Sequence, residues 1–292
     1  MSTVDGSVVP PLESTNFAGI FHKKPIQIIS AAINQEPIRV VLLIDVSASM
    51  RGPDSEDQNR YALDVAEDLV SGISPETSIG LGFFYSEFIP VLRPTVDRRS
   101  LLPQIEGLRS HPKTFYGQTA LWNAVLEGAK MFDHPHAGDV IYVITDGGDN
   151  ASHTKVKFVE QALEDTGIRL NAFVFQSMPT ARKSPEELIG PTILENVARE
   201  TGGTVLTQIT EYVNSFLISG HSALVDKSGK LTPLGLNLSS QIRQMRSFYR
   251  VEFELPEALN NQQEWKLELE GLEKSQREKI ILSYPQRLAA CH

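Results

Sequence analysis

Oxygen-bearing side chains gather in three short stretches of the sequence, and their types and spacing suit the binding of a metal ion. The first stretch, DVSAS, contains Asp45, Ser47 and Ser49 at alternate positions directly after an apolar run. The other two are Thr119 in YGQTALWNA and Asp146 in YVITDGGDN. Alternate residues of an extended or turning segment point the same way, so the first stretch can present three oxygens to one point.

Two carboxylates and three hydroxyls are the oxygen ligands that a hard divalent cation prefers. Mg²⁺ accepts few carboxylates together with retained waters, and Mn²⁺ and Ca²⁺ are alternatives for the same ligands. No cluster of His and Cys indicates zinc. Two carboxylates only just neutralise a doubly charged ion, and the hydroxyls add no charge. The sequence therefore predicts a Mg²⁺ site whose open position attracts an Asp or Glu carboxylate of a partner protein.

The elements that position these residues belong to an α/β pattern. From Arg39 onward, short apolar strands alternate with amphipathic helices, which predicts a doubly wound, mostly parallel, Rossmann-like sheet with helices on both faces. Asp45 and Asp146 each follow an apolar strand, and Thr119 stands at the start of a helix. Open α/β sheets bind their ligands at the carboxyl ends of the strands, so we expect the three stretches to meet at that edge.

The pattern divides the chain into three parts. Residues 1–37 form a lead segment with one candidate strand, and residues 38–220 form the α/β domain. Residues 221–292 contain a connector, a helix and a small antiparallel β segment. Within the domain, SIGLGFFYSEF and IPVLRP predict an antiparallel edge hairpin. RRSLLPQIEGL predicts a short helix interrupted by Pro103, and Gly202 is placed to end a later helix in a left-handed conformation.

Each candidate ligand has a simpler structural role as an alternative. Ser49 and Thr119 could act as helix N-caps, each worth about 1 kcal/mol, and a strand-end Asp could serve a turn or an ion pair. Asp149 and Asn150 either support the loop after Asp146 or form a local turn. The pair FY at 115–116 either contacts a ligand or packs beneath the loop. The ordered combination on a doubly wound pattern favours the metal site.

The three stretches together resemble a known motif. DVSASM, GQTALWNAV and VITDGGDN resemble the three parts of the metal-ion-dependent adhesion site of von Willebrand factor type A domains, over about residues 38–220. The resemblance implies a metal at the top of the sheet and binding of protein ligands through it. It assigns the metal positions to Asp45, Ser47, Ser49, Thr119 and Asp146. ENVARETGGTVL and the trailing strands resemble bacterial von Willebrand factor A-related proteins, which carry a C-terminal β segment and are commonly exported.

Composition and charge restrict the kinds of partner and compartment that the sequence allows. The net charge is −9, from 36 acidic and 27 basic residues, and no dense Lys/Arg stripe is present, which argues against nucleic acid. No apolar run approaches the ~20 residues of a membrane span. The N-terminus lacks the features of a signal peptide, which indicates the cytoplasm, whereas the resemblance implies export. The single cysteine, Cys291, allows no internal disulfide.

Three functions fit these observations, and the first is preferred. A non-enzymatic adhesion-type module would bind a partner's carboxylate through its metal. A cytosolic subunit of an ATPase-type assembly would use the same site inside a larger machine. A metal-dependent hydrolase would activate water, but the three stretches contain no His, Lys or Glu to act as general base. The oligomeric state is left open.

Overall fold

The computed structural model describes residues 2–3, 11–51, 57–111, 115–176, 184–209 and 232–288. Residues 221–231 of the connector predicted at 221–235 lie outside the described residues, as does the cysteine at position 291, and the end of that connector instead begins a helix at Pro233. The described part contains two main sheets and the helices that cover the larger one. The larger sheet carries the predicted metal site.

The strands are β1 (Ser2–Thr3), β2 (Phe17–Phe21), β3 (Lys24–Ile33), β4 (Arg39–Asp45), β5 (Ser78–Phe84), β6 (Phe88–Thr95), β7 (Val140–Thr145), β8 (Arg169–Gln176), β9 (Val205–Ile209), β10 (Tyr249–Glu254), β11 (Gln263–Leu269), β12 (Ile280–Ile281) and β13 (Arg287–Leu288). The α-helices are α1 (Asp57–Gly72), α2 (Leu102–Ser110), α3 (Leu121–Ala129), α4 (Val156–Thr166), α5 (Pro185–Glu200), α6 (Pro233–Arg246) and the single turn α7 (Lys274–Arg277).

The larger sheet has six strands in the order β6-β5-β4-β7-β8-β9. All neighbours pair in parallel except the hairpin of β5 and β6, which places antiparallel β6 at one edge. This arrangement confirms the predicted doubly wound sheet with its edge hairpin. The chain continues from β4 to β5 on one side and later returns to β7 on the other side. The strand order therefore reverses at β4, and sheets of this kind bind ligands at the carboxyl ends of the strands beside such a point.

The core lies on both faces of the six-stranded sheet. β4 contributes alternate side chains to each face, and residues 40–44 are fully buried. Helices α1, α2 and α6 pack on one face, and α3, α4 and α5 pack on the other. Burial on both faces explains why the strand reads as a continuous apolar run rather than an alternating one. Within the described ranges, no helix is long and apolar enough to cross a membrane.

Helix boundaries follow local backbone chemistry. Gly167 and Gly202 follow α4 and α5 with φ of 68° and 79°, which confirms the left-handed end predicted at Gly202. The predicted interruption of a helix by Pro103 is wrong, because α2 begins at Leu102 and Pro103 occupies its first turn. Proline is tolerated there because the N–H that it lacks has no partner within the helix.

The smaller sheet joins the two ends of the chain. Its order is β10-β3-β2-β11-β13, and all its strand pairs are antiparallel. The antiparallel segment expected near the C-terminus is therefore present, with two N-terminal strands between β10 and β11. The third strand expected in EKIILSYP is not a member of this sheet. Within that run only Ile280–Ile281 forms a strand, and it pairs with Ser2–Thr3.

The smaller sheet contacts the amino-end side of the larger one. The Gln286 N–H donates to the Glu200 carbonyl at 3.0 Å, and Gln262 Nε2 donates to Asp165 Oδ1 at 2.9 Å. Between these contacts, Arg287 Nη1 lies 3.8 Å from Glu164 Oε2. The carboxyl oxygens of Glu164 are buried and accept no hydrogen bond within the described residues. Burial raises the pKa of Glu164 to about 7, while the charge of Arg287 opposes that rise.

We expect Glu164→Gln to flatten the pH dependence of stability. A carboxyl group whose pKa is higher in the folded than in the unfolded state stabilises the fold below its unfolded pKa, and this contribution is lost as pH rises through the folded pKa. The wild-type protein should therefore lose roughly 1–3 kcal/mol of unfolding free energy through this group between about pH 5 and pH 8. Denaturant unfolding at several pH values measures the slope, with the exposed Glu195→Gln as control. A slope unchanged by Glu164→Gln would contradict the assignment.

Candidate metal centre

Three loops meet at the carboxyl edge of the six-stranded sheet, between β4 and β7. Asp45 is the last residue of β4, Asp146 directly follows β7, and Thr119 lies two residues before α3. The Ala48 N–H donates to the Gly117 carbonyl at 3.1 Å, which ties the first loop to the second. The backbone of the third loop is in turn bonded to Thr119. The structure therefore brings all three predicted stretches to one edge.

Asp45 is fully buried and its carboxylate is held on both sides. The Ser47 N–H donates to Asp45 Oδ1 at 2.9 Å, and Thr145 Oγ1 donates to Asp45 Oδ2 at 2.6 Å. The Gly147 N–H donates to Thr145 Oγ1 at 3.1 Å. Thr145 therefore fixes the orientation of Asp45 from the neighbouring strand. Sequence reasoning missed Thr145, although its place directly before the DGG turn put it at the same edge.

The two serines present their hydroxyls together. Ser47 Oγ and Ser49 Oγ lie 3.0 Å apart, and a 3-10 turn begins at Ala48 between them. Ser47 is fully buried, whereas Ser49 is partly exposed. The alternate spacing in the sequence thus brings both oxygens to one side of the loop. They can serve as neutral ligands without adding charge.

Hydrogen bonds hold the backbone of Thr119 in place, and none of them involves its side-chain hydroxyl. Its N–H donates to Asn150 Oδ1 at 2.9 Å, and its carbonyl accepts from the N–H groups of Asn150 and Ala151 at 3.0 and 2.9 Å. The residue is 3% exposed, yet its hydroxyl has no hydrogen bond to any residue that the structure describes. The N-cap of α3 is Ala120, so Thr119 does not cap this helix. Asn150 therefore supports the loop, which is one of the two alternatives stated for this residue in the sequence analysis.

The loop after β7 also caps α3. Ser152 Oγ accepts from the N–H groups of Trp122 and Asn123 at 3.0 and 3.1 Å and donates to Asp149 Oδ1 at 2.6 Å. Asp149 therefore serves the helix end, and burial raises the pKa of its carboxyl group. No sequence pattern indicates the role of Ser152, because the loop between β7 and α4 has no regular spacing.

Glycines allow the loop of Asp146 to pack against α5. Gly147 has φ of 85°, a conformation that side chains disfavour, and it lies against Pro191. A Cβ atom at Gly190 would overlap the carbonyl oxygen of Gly147. The Gly148 N–H donates to Asp146 Oδ1 at 3.0 Å, so the same short turn orients the second carboxylate. Close contact between α5 and this turn thus sets the position of Asp146.

The electrostatics of the edge favour a cation. Burial raises the pKa of Asp45 to about 7, and the nearby negative charge of Asp146 adds to the rise. Within the described ranges, neither carboxylate has a Lys, Arg or His within ion-pair distance. No group of three or more His, Cys, Asp or Glu side chains suited to a metal occurs among these residues either. The side chains at this edge are thus two acids with hydroxyls, a set of oxygens that would suit Mg²⁺ better than zinc.

The fold and the site define the class of protein: a doubly wound α/β unit with acidic side chains at the carboxyl edge of its sheet. Residues 40–148 match the family model described as von Willebrand factor type A domain. The match confirms the resemblance for that range, and the chain has a von Willebrand factor type A-like α/β fold. Proteins with such domains are commonly protein-interaction modules.

Solved structures agree on the fold. The conserved hypothetical protein BatB from Bacteroides thetaiotaomicron has 17% identity and a TM-score of 0.50, with 71% of this chain and 98% of that chain covered. An aerotolerance-related membrane protein from Bacteroides fragilis has 18% identity and a TM-score of 0.50, with coverage of 71% and 99%. A von Willebrand factor type A protein from Catenulispora acidiphila has 13% identity and a TM-score of 0.50, with coverage of 81% and 51%. A search among curated proteins found no match.

Proposed function

We propose that the chain is a protein-binding module that holds a divalent cation, Mg²⁺ in first place, at the edge of its six-stranded sheet. The ligands are Asp45, Ser47, Ser49, Thr119 and Asp146, and Mn²⁺ or Ca²⁺ are alternatives for the same oxygens. An Asp or Glu of a partner protein completes the shell of the ion. The observation that carries the proposal is the buried Asp45 beside the partly exposed Asp146, with no basic side chain in ion-pair distance of either carboxylate among the described residues.

Charge explains why such a site would bind a partner. Two carboxylates in a partly buried site repel each other, and each loses hydration. A doubly charged cation relieves both effects, and the neutral hydroxyls leave its charge just balanced by the two acids. Because one coordination position of the ion stays open, a third carboxylate from outside the chain can still approach the ion closely and bind it. When bound, the metal supplies this electrostatic attraction.

A binding role fits the chemistry of the edge better than catalysis. The three stretches supply carboxylates and hydroxyls, and these oxygens are either ligands or orienting groups. The acid nearest the turn of Asp146 on α5, Glu187, already accepts from the Ser184 N–H at 3.0 Å as part of a helix cap. A general base for water activation is thus not supplied by these groups. We therefore propose a non-enzymatic function.

Thr119→Ala tests the proposal at a residue whose hydroxyl does little for folding. The backbone hydrogen bonds of Thr119 are retained in Ala, so we expect the unfolding free energy without metal to change by less than about 1 kcal/mol. Mg²⁺ or Mn²⁺ affinity should fall by about tenfold or more. Calorimetric titration and denaturant unfolding measure the two effects, and Thr119→Ser keeps the hydroxyl and should bind metal as the wild type does.

Two outcomes would contradict the proposal. The first is the absence of any Mg²⁺ or Mn²⁺ binding to the wild-type protein near neutral pH. The second is an equal loss of stability and of metal affinity in Thr119→Ala, which would assign the hydroxyl to the fold.

A further inference from the structure

Two tyrosines lie beside the candidate metal site on the surface. Tyr116 is 50% exposed, and its ring centroid lies 4.7 Å from that of Tyr85 at an interplanar angle of 43°. The preceding aromatic, Phe115, is completely buried in the core. Packing beneath the loop therefore explains Phe115 and leaves Tyr116 without a structural reason for its exposed position.

The backbone that holds the tyrosines also holds the candidate ligands. The Tyr116 N–H donates to the carbonyl of Val46, the residue after Asp45, at 2.9 Å. The Ala120 N–H, next to Thr119, donates to the Tyr85 carbonyl at 2.8 Å. The backbone of each tyrosine is thus bonded to a residue that directly neighbours a candidate ligand in the sequence.

A glycine permits the close approach of the two loops. Gly117 has φ of 81°, and a Cβ atom there would lie 2.9 Å from Tyr85 Cδ2. The ring of Tyr85 therefore packs directly on the backbone that leads to the candidate ligand loop. A partner that reaches the metal would meet two aromatic rings already ordered, and so would lose little additional conformational entropy in binding them.

An unneutralised carboxylate stands beside the rings. Glu87 is exposed, and its carbonyl accepts from the Tyr85 N–H at 3.0 Å, which places its carboxylate near the Tyr85 ring. Glu87 has no Lys, Arg or His in ion-pair distance within the part of the chain that the structure describes. The neighbouring Tyr116 hydroxyl, partial burial and the negative charge of Glu87 raise the pKa of Tyr85 to about 12. The patch thus carries one negative charge and two ring faces.

We propose that Tyr85, Glu87 and Tyr116, here called the aromatic-acidic patch, bind a basic side chain of the partner. Aromatic faces and a carboxylate both attract an Arg or Lys cation, whereas they disfavour a second acid. The inference rests on the proposed function and deepens it. The recognised segment of the partner has an acidic residue for the metal and a basic residue close to it in space.

Short peptides test this assignment in the intact protein with Mg²⁺. One peptide carries a single Glu among Gly and Ala, and a matched set adds one Arg at one, two or three residues from that Glu. The best Arg peptide should bind the wild-type protein about 3- to 10-fold more tightly than the Glu-only peptide, from an exposed cation–π contact and a surface ion pair. Dissociation constants are measured by NMR titration, and a Phe-for-Arg set is the comparison.

The variants Tyr116→Ala and Glu87→Gln identify the source of any gain. Both residues are exposed, so equal melting temperatures will verify the fold. In each variant the advantage of Arg should fall to less than about twofold, while the affinity for the Glu-only peptide stays as in the wild type.

An Arg advantage that persists in both variants, or a Phe peptide that binds better than the Arg peptide, would overturn the assignment of the patch alone. Failure of the Glu-only peptide to bind in Mg²⁺ would overturn the proposed function and this inference with it.

Discussion

Asp45→Asn should abolish divalent-cation binding and, at the same time, make the metal-free protein more stable at pH 8. The carboxylate is fully buried beside Asp146, and burial together with that neighbouring charge disfavours its charged form and raises its pKa to about 7. Asn has nearly the same shape and carries no charge; its one oxygen can still accept the Ser47 N–H, while the Thr145 hydroxyl loses the acceptor that Asp45 Oδ2 provides. We expect a gain on the order of 2 kcal/mol in unfolding free energy without metal.

Without metal, Asp45→Asn should raise the stability, but the same substitution should remove the additional stability that bound metal provides. Even groups that only orient metal ligands cost about 10- to 100-fold in affinity when they are removed, so loss of a carboxylate ligand should exceed that range. Melting with and without Mg²⁺ measures both effects, because a ligand at about 100 times its Kd adds about 2.7 kcal/mol to stability. The exposed Asp133→Asn is the control and should change neither quantity. Destabilisation of the metal-free protein by Asp45→Asn would contradict the proposed electrostatic conflict.

Gly190→Ala should lower the unfolding free energy by about 3 kcal/mol or more and weaken metal binding. A Cβ atom at this position overlaps the carbonyl oxygen of Gly147, and backbone atoms cannot move aside as a flexible side chain can. The helix α5 or the turn before Asp149 must therefore shift, and Asp146 moves with that turn. Denaturant unfolding and Mg²⁺ titration check the two effects.

The chain offers a matched control for this substitution. Gly107 lies within α2, and a Cβ atom there would meet no other atom within 4 Å. Gly107→Ala should raise stability by about 0.5–1 kcal/mol, because Ala favours a helix interior over Gly. Similar effects of the two substitutions would show that helix propensity, rather than contact with the turn, decides the outcome at Gly190.

Sequence patterns predicted the six-stranded sheet well, because the burial of each strand or helix determines the spacing of apolar residues within that element. The apolar run at residues 40–44 and the helical spacing of buried residues in α1 follow directly from the faces they cover. The five candidate ligands lie at one edge because strand ends in a parallel sheet share that edge. Thr145 and Ser152 were not predicted, since a single hydroxyl has no pattern and its partners come from other elements.

The smaller sheet shows the limit of such patterns. Alternation identified β10 and β11 as strands, but period-two spacing does not specify which strand pairs with which. Val251 pairs with Ala31, and Leu267 pairs with Gly19, so both partners come from the opposite end of the chain. Pairing over such separations depends on the completed fold. The interruption expected at Pro103 failed for a local reason, because the helix starts one residue before it.

Pairing between the two ends of the chain has a consequence for biosynthesis. The hairpin of β2 and β3 leaves the ribosome before the α/β unit, yet its neighbours on both sides, β10 and β11, are made after that unit. We therefore expect both edges of this hairpin to stay unpaired while the intervening α/β unit is translated. Unpaired strand edges promote association with other chains. Nascent chains stalled before Tyr249 should accordingly need chaperone protection that the finished protein does not.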